Sequence, residues 1–431
     1  MTSTLTETNL DKQLILWRRD FHQHAESGFL EMRTASIVAA YLTQLGYPLK
    51  VASEVMKEDA RMGVPSKEVL DNHYKWAQEN GANLDWLPKF AGGMTGIVAT
   101  LETGKPGPTT AFRVDMDALD IQEDLSVEHI PFKDGYASVN ANMMHACGHD
   151  GHTAIGLGLA TLIMENKESL VGTIKLIFQP AEEGTRGAKS MVEAGVVDDV
   201  DYFIATHLGT GIPSGSFVAG KAGYLATTKM DVTFKGFASH AGGKPEAGRN
   251  ALAAAAAAVL GIYGIPRHSA GASRINVGVL QAGSGRNIIA SSAFLKLETR
   301  GETTEINEFI QGQALAVLEG AAKMYQVEVN VDVVGGALNS VPSEELVERV
   351  ATCAKSNPAF TEVIDWSRGA AGSEDATYFM NRVMELGGQA TYCVVGCDIA
   401  AGHHNERFDI DESSLRIGVD ALYRVAVELN S

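Results

Sequence analysis

The sequence predicts an α/β protein: a large domain built on a mostly parallel sheet, interrupted by a smaller, ferredoxin-like α+β domain. Three observations carry this reading. Short apolar runs alternate with helical patterns along the first half of the chain, as in a sheet covered by helices. From about residue 227 the order becomes strand-helix-strand-strand-helix-strand within about 105 residues, the order of a ferredoxin-like unit. After Gly335 the alternating texture returns. The predicted domains are therefore 1–226 with 335–431, and 227–334 inserted between them. A length of 431 residues suits two or three domains of about 100–200 residues.

Residues 10–24 and 35–45 place apolar side chains at helical spacing. Residues 51–92 are polar and carry Trp76 and Trp86; they read as an inserted excursion with helical patches. Strands are expected at 96–101, 110–114, 173–178 and 202–206, with a helix at 152–166 among them. In such sheets ligands bind beyond the carboxyl ends of the strands. In the inserted domain, 228–235, 274–280, 293–300 and 327–333 read as strands, and an Ala-rich helix after Asn250 and a helix at 305–325 pack on them. A helix at 343–355, a strand at 390–395 and a helix from Glu412 complete the large domain.

Lys and Arg number 35 against 53 Asp and Glu, a net charge of −18. No basic footprint for nucleic acid and no basic amphipathic membrane helix is visible. The longest apolar stretch, 251–265, falls short of the ~20 residues of a membrane span. Residues 1–9 have no leader pattern. Four cysteines (Cys147, Cys353, Cys393 and Cys397) are too few for a disulfide framework, which points to reduced thiols and a cytoplasmic setting.

The chemistry concentrates in four motifs. His145-Ala146-Cys147-Gly148-His149-Asp150-Gly151-His152 combines thiol, imidazole and carboxylate, the donors of borderline divalent metals. Gln179-Pro180-Ala181-Glu182-Glu183-Gly184 follows an expected strand. Neighbouring side chains in extended chain point opposite ways, so one glutamate can face a metal and the other a water. Thr206-His207 and Gly402-His403-His404-Asn405-Glu406 each place histidine after an expected strand. Taken together the donors exceed one tetrahedral site and suit two ions about 3.5–4 Å apart. There is no Gly-x-Ser-x-Gly elbow, and no Gly-Lys pair is followed by Ser or Thr, which disfavours serine-hydrolase and nucleotide-binding readings.

These motifs, with Arg18-Arg19-Asp20-Phe21-His22-Gln23-His24-Ala25-Glu26, Arg113-Val114-Asp115-Met116-Asp117-Ala118-Leu119 and Gly372-Ser373-Glu374-Asp375, resemble the amidohydrolase branch of the co-catalytic metallopeptidases. That branch includes hippurate hydrolases, indole-acetyl-amino-acid hydrolases and aminoacylase-like carboxypeptidases. The resemblance covers nearly the whole chain. It implies metal ligands at Cys147, His149, Glu183, His207 and His404, the last chosen over His403 because the family's histidine stands four residues before a phenylalanine, here Phe408. It implies a general base at Glu182 and a lid-domain histidine, His240, that steadies the substrate carbonyl oxygen. Asp115 fits an orienting role; His145 and His152 read as structural. The long 51–92 segment resembles the p-aminobenzoyl-glutamate hydrolase type within the family; it reads either as a helical surface decoration or as a partner-subunit contact or wall over the acyl pocket, using Trp76 or Trp86. Ala25 stands where most members carry proline.

The implied function is metal-dependent hydrolysis of an N-acyl or N-aroyl amino acid, with p-aminobenzoyl-glutamate the first choice of substrate and hippurate-type substrates the second. Two divalent ions per subunit, Mn or Zn, are implied, and the inserted domain would serve as lid and dimerisation unit, in a homodimer or with a related subunit. A non-catalytic partner chain would have lost a ligand or the base; none is lost here. Because the protein is acidic, a local cation must select the substrate carboxylate. Arg286 beside Asn287, and Arg249 and Lys244 near His240, are the candidates, the arginines because their fork matches a carboxylate.

Overall fold

The computed structural model describes residues 7–369 and 372–431; the opening residues read above for a leader fall largely outside them. The described chain divides into two compact units, one formed by residues up to 222 with 340–369 and 375–431, the other by 223–339 with 372–374.

The first unit is built on strands β1 (Leu49–Val51), β2 (Ile97–Glu102), β3 (Thr109–Asp115), β4 (Thr173–Gln179), β5 (Tyr202–Leu208) and β6 (Ser216–Lys221). The second unit contributes β7 (Ala226–Lys235), β8 (Ser239–His240), β9 (Ser273–Ala282), β10 (Ile288–Ile289), β11 (Ser292–Gly301) and β12 (Glu328–Ala337). On returning to the first unit the chain adds β13 (Glu362–Ser367) and β14 (Gln389–Val395).

The large sheet runs β1-β2-β4-β3-β5-β14-β6-β13. Four of its seven pairings are parallel: β3 with β4, β3 with β5, β5 with β14 and β6 with β13. Its central strands β3, β4, β5 and β14 are buried along most of their length, which is why they read as near-continuous apolar runs. Helix His149–Glu165 is buried almost all round. It approaches the sheet so closely that a Cβ added at Gly156 would lie 2.8 Å from the side chains of Phe178 and Val114.

The smaller sheet is antiparallel throughout, in the order β12-β7-β11-β9. One face, with Met230, Val232, Phe234, Leu295 and Leu297, is buried against helices Ala251–Tyr263 and Thr304–Tyr325. The Ala-rich stretch is thus a packing helix, its Ala254, Ala255 and Ala258 allowing close approach. No helix among the described residues is long and apolar enough to cross a membrane.

The 51–92 excursion is helical, with three short 3-10 segments and the helix Lys67–Glu79 capped by Ser66. It is stitched to the first unit. His73 Nε2 lies 2.9 Å from Glu26 Oε1, Arg33 Nε donates to the Asn80 carbonyl, and Leu70, Ala77, Leu87 and Phe90 enter the main core. Trp76 stacks on His73, and both Trp76 and Trp86 pack half-buried against that core.

Candidate metal centre and active site

Cys147 ends the loop that leads into helix His149–Glu165, and Gly148, at φ +95°, makes the turn between them. His149 and His207 are held by the same device. His149 Nδ1 lies 2.9 Å from the Asp117 carbonyl, and His207 Nδ1 lies 2.7 Å from the Leu208 carbonyl. A carbonyl oxygen only accepts, so each imidazole donates from Nδ1 and turns Nε2 inward. His207 Nε2 faces Cys147 Sγ at 3.5 Å, and His149 Nε2 is buried with no hydrogen-bond partner.

Two groups of donors result. Cys147, His149 and His207 place their ligand atoms within 4.8 Å of one another, as do Cys147, Glu183 and His404. Cys147 belongs to both. His404 Nε2 lies 3.6 Å from Glu183 Oε1, an oxygen that is itself buried without a hydrogen-bond partner. Inward-facing ring nitrogens, a shared thiol and orphaned buried polar atoms are what a cation would satisfy. The donor set fits divalent metals.

The two glutamates correct one expectation. They do not lie in extended chain with side chains diverging; they lie in a turn, and both carboxylates come within 4.0 Å of His149 Nε2. The turn is imposed from outside. The Asp117 carboxylate accepts the peptide N–H of Glu182 on one oxygen and that of Glu183 on the other, each at 2.9 Å. Glu31 accepts the N–H of Ala181 at 2.8 Å, and Ala181 is held at φ +52°. Asp117 therefore positions His149 through its carbonyl and both glutamates through its carboxylate, a role the motif alone did not reveal.

The electrostatics of this cluster favour a cation. Burial by itself would push His149 down, yet Asp115, Asp117 and Cys147 hold its imidazole well above the usual range. Burial, with the neighbouring histidines, holds His207 well below it. Burial and the nearby Glu183 push the Cys147 thiol up. Burial raises the Glu183 carboxyl to about 7, with Asp117 and Asp115 adding to it against the pull of His149. Burial and crowding thus disfavour the anionic forms of Cys147 and Glu183, a penalty that a bound cation would offset.

Outer contacts hold this cluster in place. Asp115 accepts from His152 Nδ1 at 2.6 Å and from Arg113 at 2.8 Å, while His152 Nε2 accepts the Leu208 N–H. Asp375 accepts from Gln179 and from the N–H groups of Gly187 and Ala188, fixing the loop beyond the glutamates. Gly187 is required there, since a Cβ would lie 1.8 Å from the Pro180 carbonyl. The opening motif is scaffold: buried Arg18 pairs with Asp150 at 2.8 Å and Asp409 at 2.6 Å, and His22 with Asp150 and Glu123. His145 is buried, which pushes its imidazole down to about 4.

In the second unit, β8 and β10 form a two-stranded ribbon in which His240 pairs with Ile288. The Ala241 N–H donates to the Asn287 carbonyl. His240 is exposed, and its Nδ1 accepts from the N–H groups of Gly242 and Gly243 at 3.1 and 2.9 Å, so the ring donates from Nε2. Arg286 and Asn287 are exposed beside it. Arg249 lies opposite Phe237 and donates to the Gly248 carbonyl. The ribbon thus gathers His240, Arg286 and Asn287.

A model of peptidase family M20/M25/M40 matches residues 111–428. The chain belongs to this family. It is 54% identical over 419 residues to one of the subunits of p-aminobenzoyl-glutamate hydrolase from Escherichia coli K12, covering 97% of this chain and 96% of that protein. It is also 54% identical over 415 residues to the indole-3-acetyl-aspartic acid hydrolase of Enterobacter agglomerans, covering 96% and 95%. A crystal structure of the aminobenzoyl-glutamate utilization protein from Klebsiella pneumoniae superposes with a TM-score of 0.86 at 50% identity, covering 97% of this chain and 96% of that one. The protein is a hydrolase of amide bonds with the donor set of a metal-dependent family.

Proposed function

We propose that this protein cleaves the amide bond between an aromatic acyl group and an acidic amino acid, with p-aminobenzoyl-glutamate the first substrate, giving p-aminobenzoate and glutamate. The observation that carries the chemistry is the turn that aims Glu182 and Glu183 together at a cluster of inward-facing Nε2 and Sγ donors. The substrate class rests on the two relatives of equal identity, whose names join an aromatic acyl group to glutamate in one and indole-3-acetate to aspartate in the other. Indole-3-acetyl-aspartate is therefore the second reading.

Cys147, His149, Glu183, His207 and His404 would hold two divalent ions, and the donor types admit Zn or Mn. Held there, such ions would supply Lewis-acid polarisation of the scissile carbonyl and a more acidic water. Glu182 takes the proton of the attacking water and returns it to the leaving amine. His240, donating from Nε2, stabilises the developing oxyanion. Arg286, with Asn287 and Arg249, receives the substrate carboxylates. The second unit supplies these groups to a partner's site, in a homodimer or with a related subunit; the naming of the first relative as one subunit of a hydrolase supports such an assembly. All four cysteines are free, in keeping with a cytoplasmic setting.

The test is hydrolysis of p-aminobenzoyl-glutamate, indole-3-acetyl-aspartate and hippurate by one metal-analysed preparation. The first should turn over fastest and two ions should be found per protein chain. Hippurate outpacing both dicarboxylate substrates would overturn the assignment.

A further inference from the structure

We propose that His403, the neighbour of His404, is a positioning residue that donates a hydrogen bond to the Cys147 sulfur and sets its strength as a ligand; this rests on the reading of Cys147 as the shared ligand. The Thr210 N–H donates to His403 Nε2 at 3.0 Å. A backbone amide can only donate, so the His403 proton sits on Nδ1. That Nδ1 lies 3.5 Å from Cys147 Sγ. His207, at the same distance from the sulfur, has its proton committed to the Leu208 carbonyl and presents a lone pair. Of the two imidazoles whose ring nitrogens lie 3.5 Å from the sulfur among the described residues, His403 is the one that donates to it.

The backbone is bent to make this contact. Thr210 is held at φ +48° and His404 at φ +64°, left-handed conformations unfavourable for side-chain-bearing residues. The turn at Thr210 aims its N–H at the ring. The bend at His404 lets two adjacent histidines divide their work, His404 Nε2 facing Glu183 at 3.6 Å and His403 Nδ1 facing Cys147. The His403 ring is clamped by Phe408, with centroids 5.0 Å apart, and by the edge of His207 at 5.4 Å.

A hydrogen bond draws charge from a thiolate and leaves fewer lone-pair directions for metal, so it tunes and orients a sulfur that two donor groups share. The test uses the full-length protein loaded with Co(II), comparing wild type, His403→Leu and His403→Asn, each shown to be folded by circular dichroism. The wild type should show a sulfur-to-cobalt charge-transfer band. His403→Leu should move it to longer wavelength, as the sulfur regains charge, and weaken Co(II) affinity about tenfold, as the sulfur loses its orientation. His403→Asn, whose amide nitrogen takes the place of Nδ1, should restore the band position. An unmoved band and unchanged affinity in His403→Leu would overturn the role of His403. Loss of one ion per chain in His403→Asn would overturn it too, by making His403 a ligand. Absence of any sulfur band in the wild type would instead sink the reading of Cys147.

Discussion

The two places where chemistry gathers are built on opposite plans. In the first unit, His149 and His207 are 1% and 7% exposed, and each ring is fixed by a carbonyl. Behind them stand Asp115, Asp117, His152 and Asp375, all buried. In the second unit, His240 stands exposed on a ribbon with only two residues in each strand, and Arg286 and Asn287 stand exposed in the loop just before β10. Among the described residues, the ribbon's histidine is oriented by glycine amides in its own turn. A site that holds ions needs rigid, desolvated donors and a supporting shell. Groups that receive a substrate can stay solvated until the substrate arrives, and their contribution then depends on what the substrate brings.

This contrast ranks the expected losses. The largest belongs to Glu182→Gln. The amide keeps the shape of the side chain, and the peptide N–H keeps its bond to Asp117, so metal content should match wild type. Turnover should fall about 10²–10⁴-fold, the usual worth of a general base. Steady-state kinetics beside metal analysis checks this; metal lost from Glu182→Gln but retained in Glu183→Gln would exchange the two roles.

His240→Ala should come next, lowering kcat about 10²–10³-fold if the ring stabilises an oxyanion, with metal content untouched. Mixing His240→Ala with Glu182→Gln under conditions where chains exchange should recover part of the activity, because the site on the His240→Ala chain keeps its own Glu182 and draws an intact His240 from its Glu182→Gln partner. No recovery in chains shown to exchange would place His240 at its own site or at none.

Asp117→Ala tests the supporting shell. Its carboxylate holds the N–H groups of both glutamates, and its loss should weaken metal binding about ten- to a hundredfold, with activity falling in step. Asp117→Asn, which keeps one acceptor, should fall between. Equal metal affinity in all three proteins would mean that the turn holds itself.

What could be read in the sequence follows the same division. Central strands such as β3 and β4 were legible because burial on both faces makes an apolar run. Five strands escaped. β1, β8 and β10 have only two or three residues each, β6 carries Gly220 in a short run, and β13 is a partly exposed edge strand whose polar Glu362 and Asp365 mask it. The donor residues were legible because Cys, His and Glu cluster in short motifs. The shape of the Glu182–Glu183 turn was not, because Asp117 and Glu31 impose it from 65 and 150 residues away. The same holds for His403, whose proton is assigned by an amide 193 residues distant. A motif shows which groups are present; which nitrogen carries a proton is decided by contacts that only the fold creates.

The smallest effect is expected on the ribbon, at Arg286. The protein carries a net charge of −18, so long-range steering opposes a dicarboxylate and only a local cation can select it. Arg286 is exposed, and no partner holds it among the described residues, so its guanidinium is free to receive a carboxylate. A charged hydrogen bond is worth about 1.5–3 kcal/mol when desolvated, and the exposure of this loop puts Arg286 at the lower end, about tenfold. Arg286→Ala should therefore raise KM about tenfold for p-aminobenzoyl-glutamate while leaving kcat nearly unchanged. For the same substrate with its carboxylates converted to amides, KM should barely move. Lys at this position should recover part of the loss, since it keeps the charge but not the fork. Equal losses on acid and amide would show that Arg286 shapes the ribbon that carries His240 without reading the carboxylate.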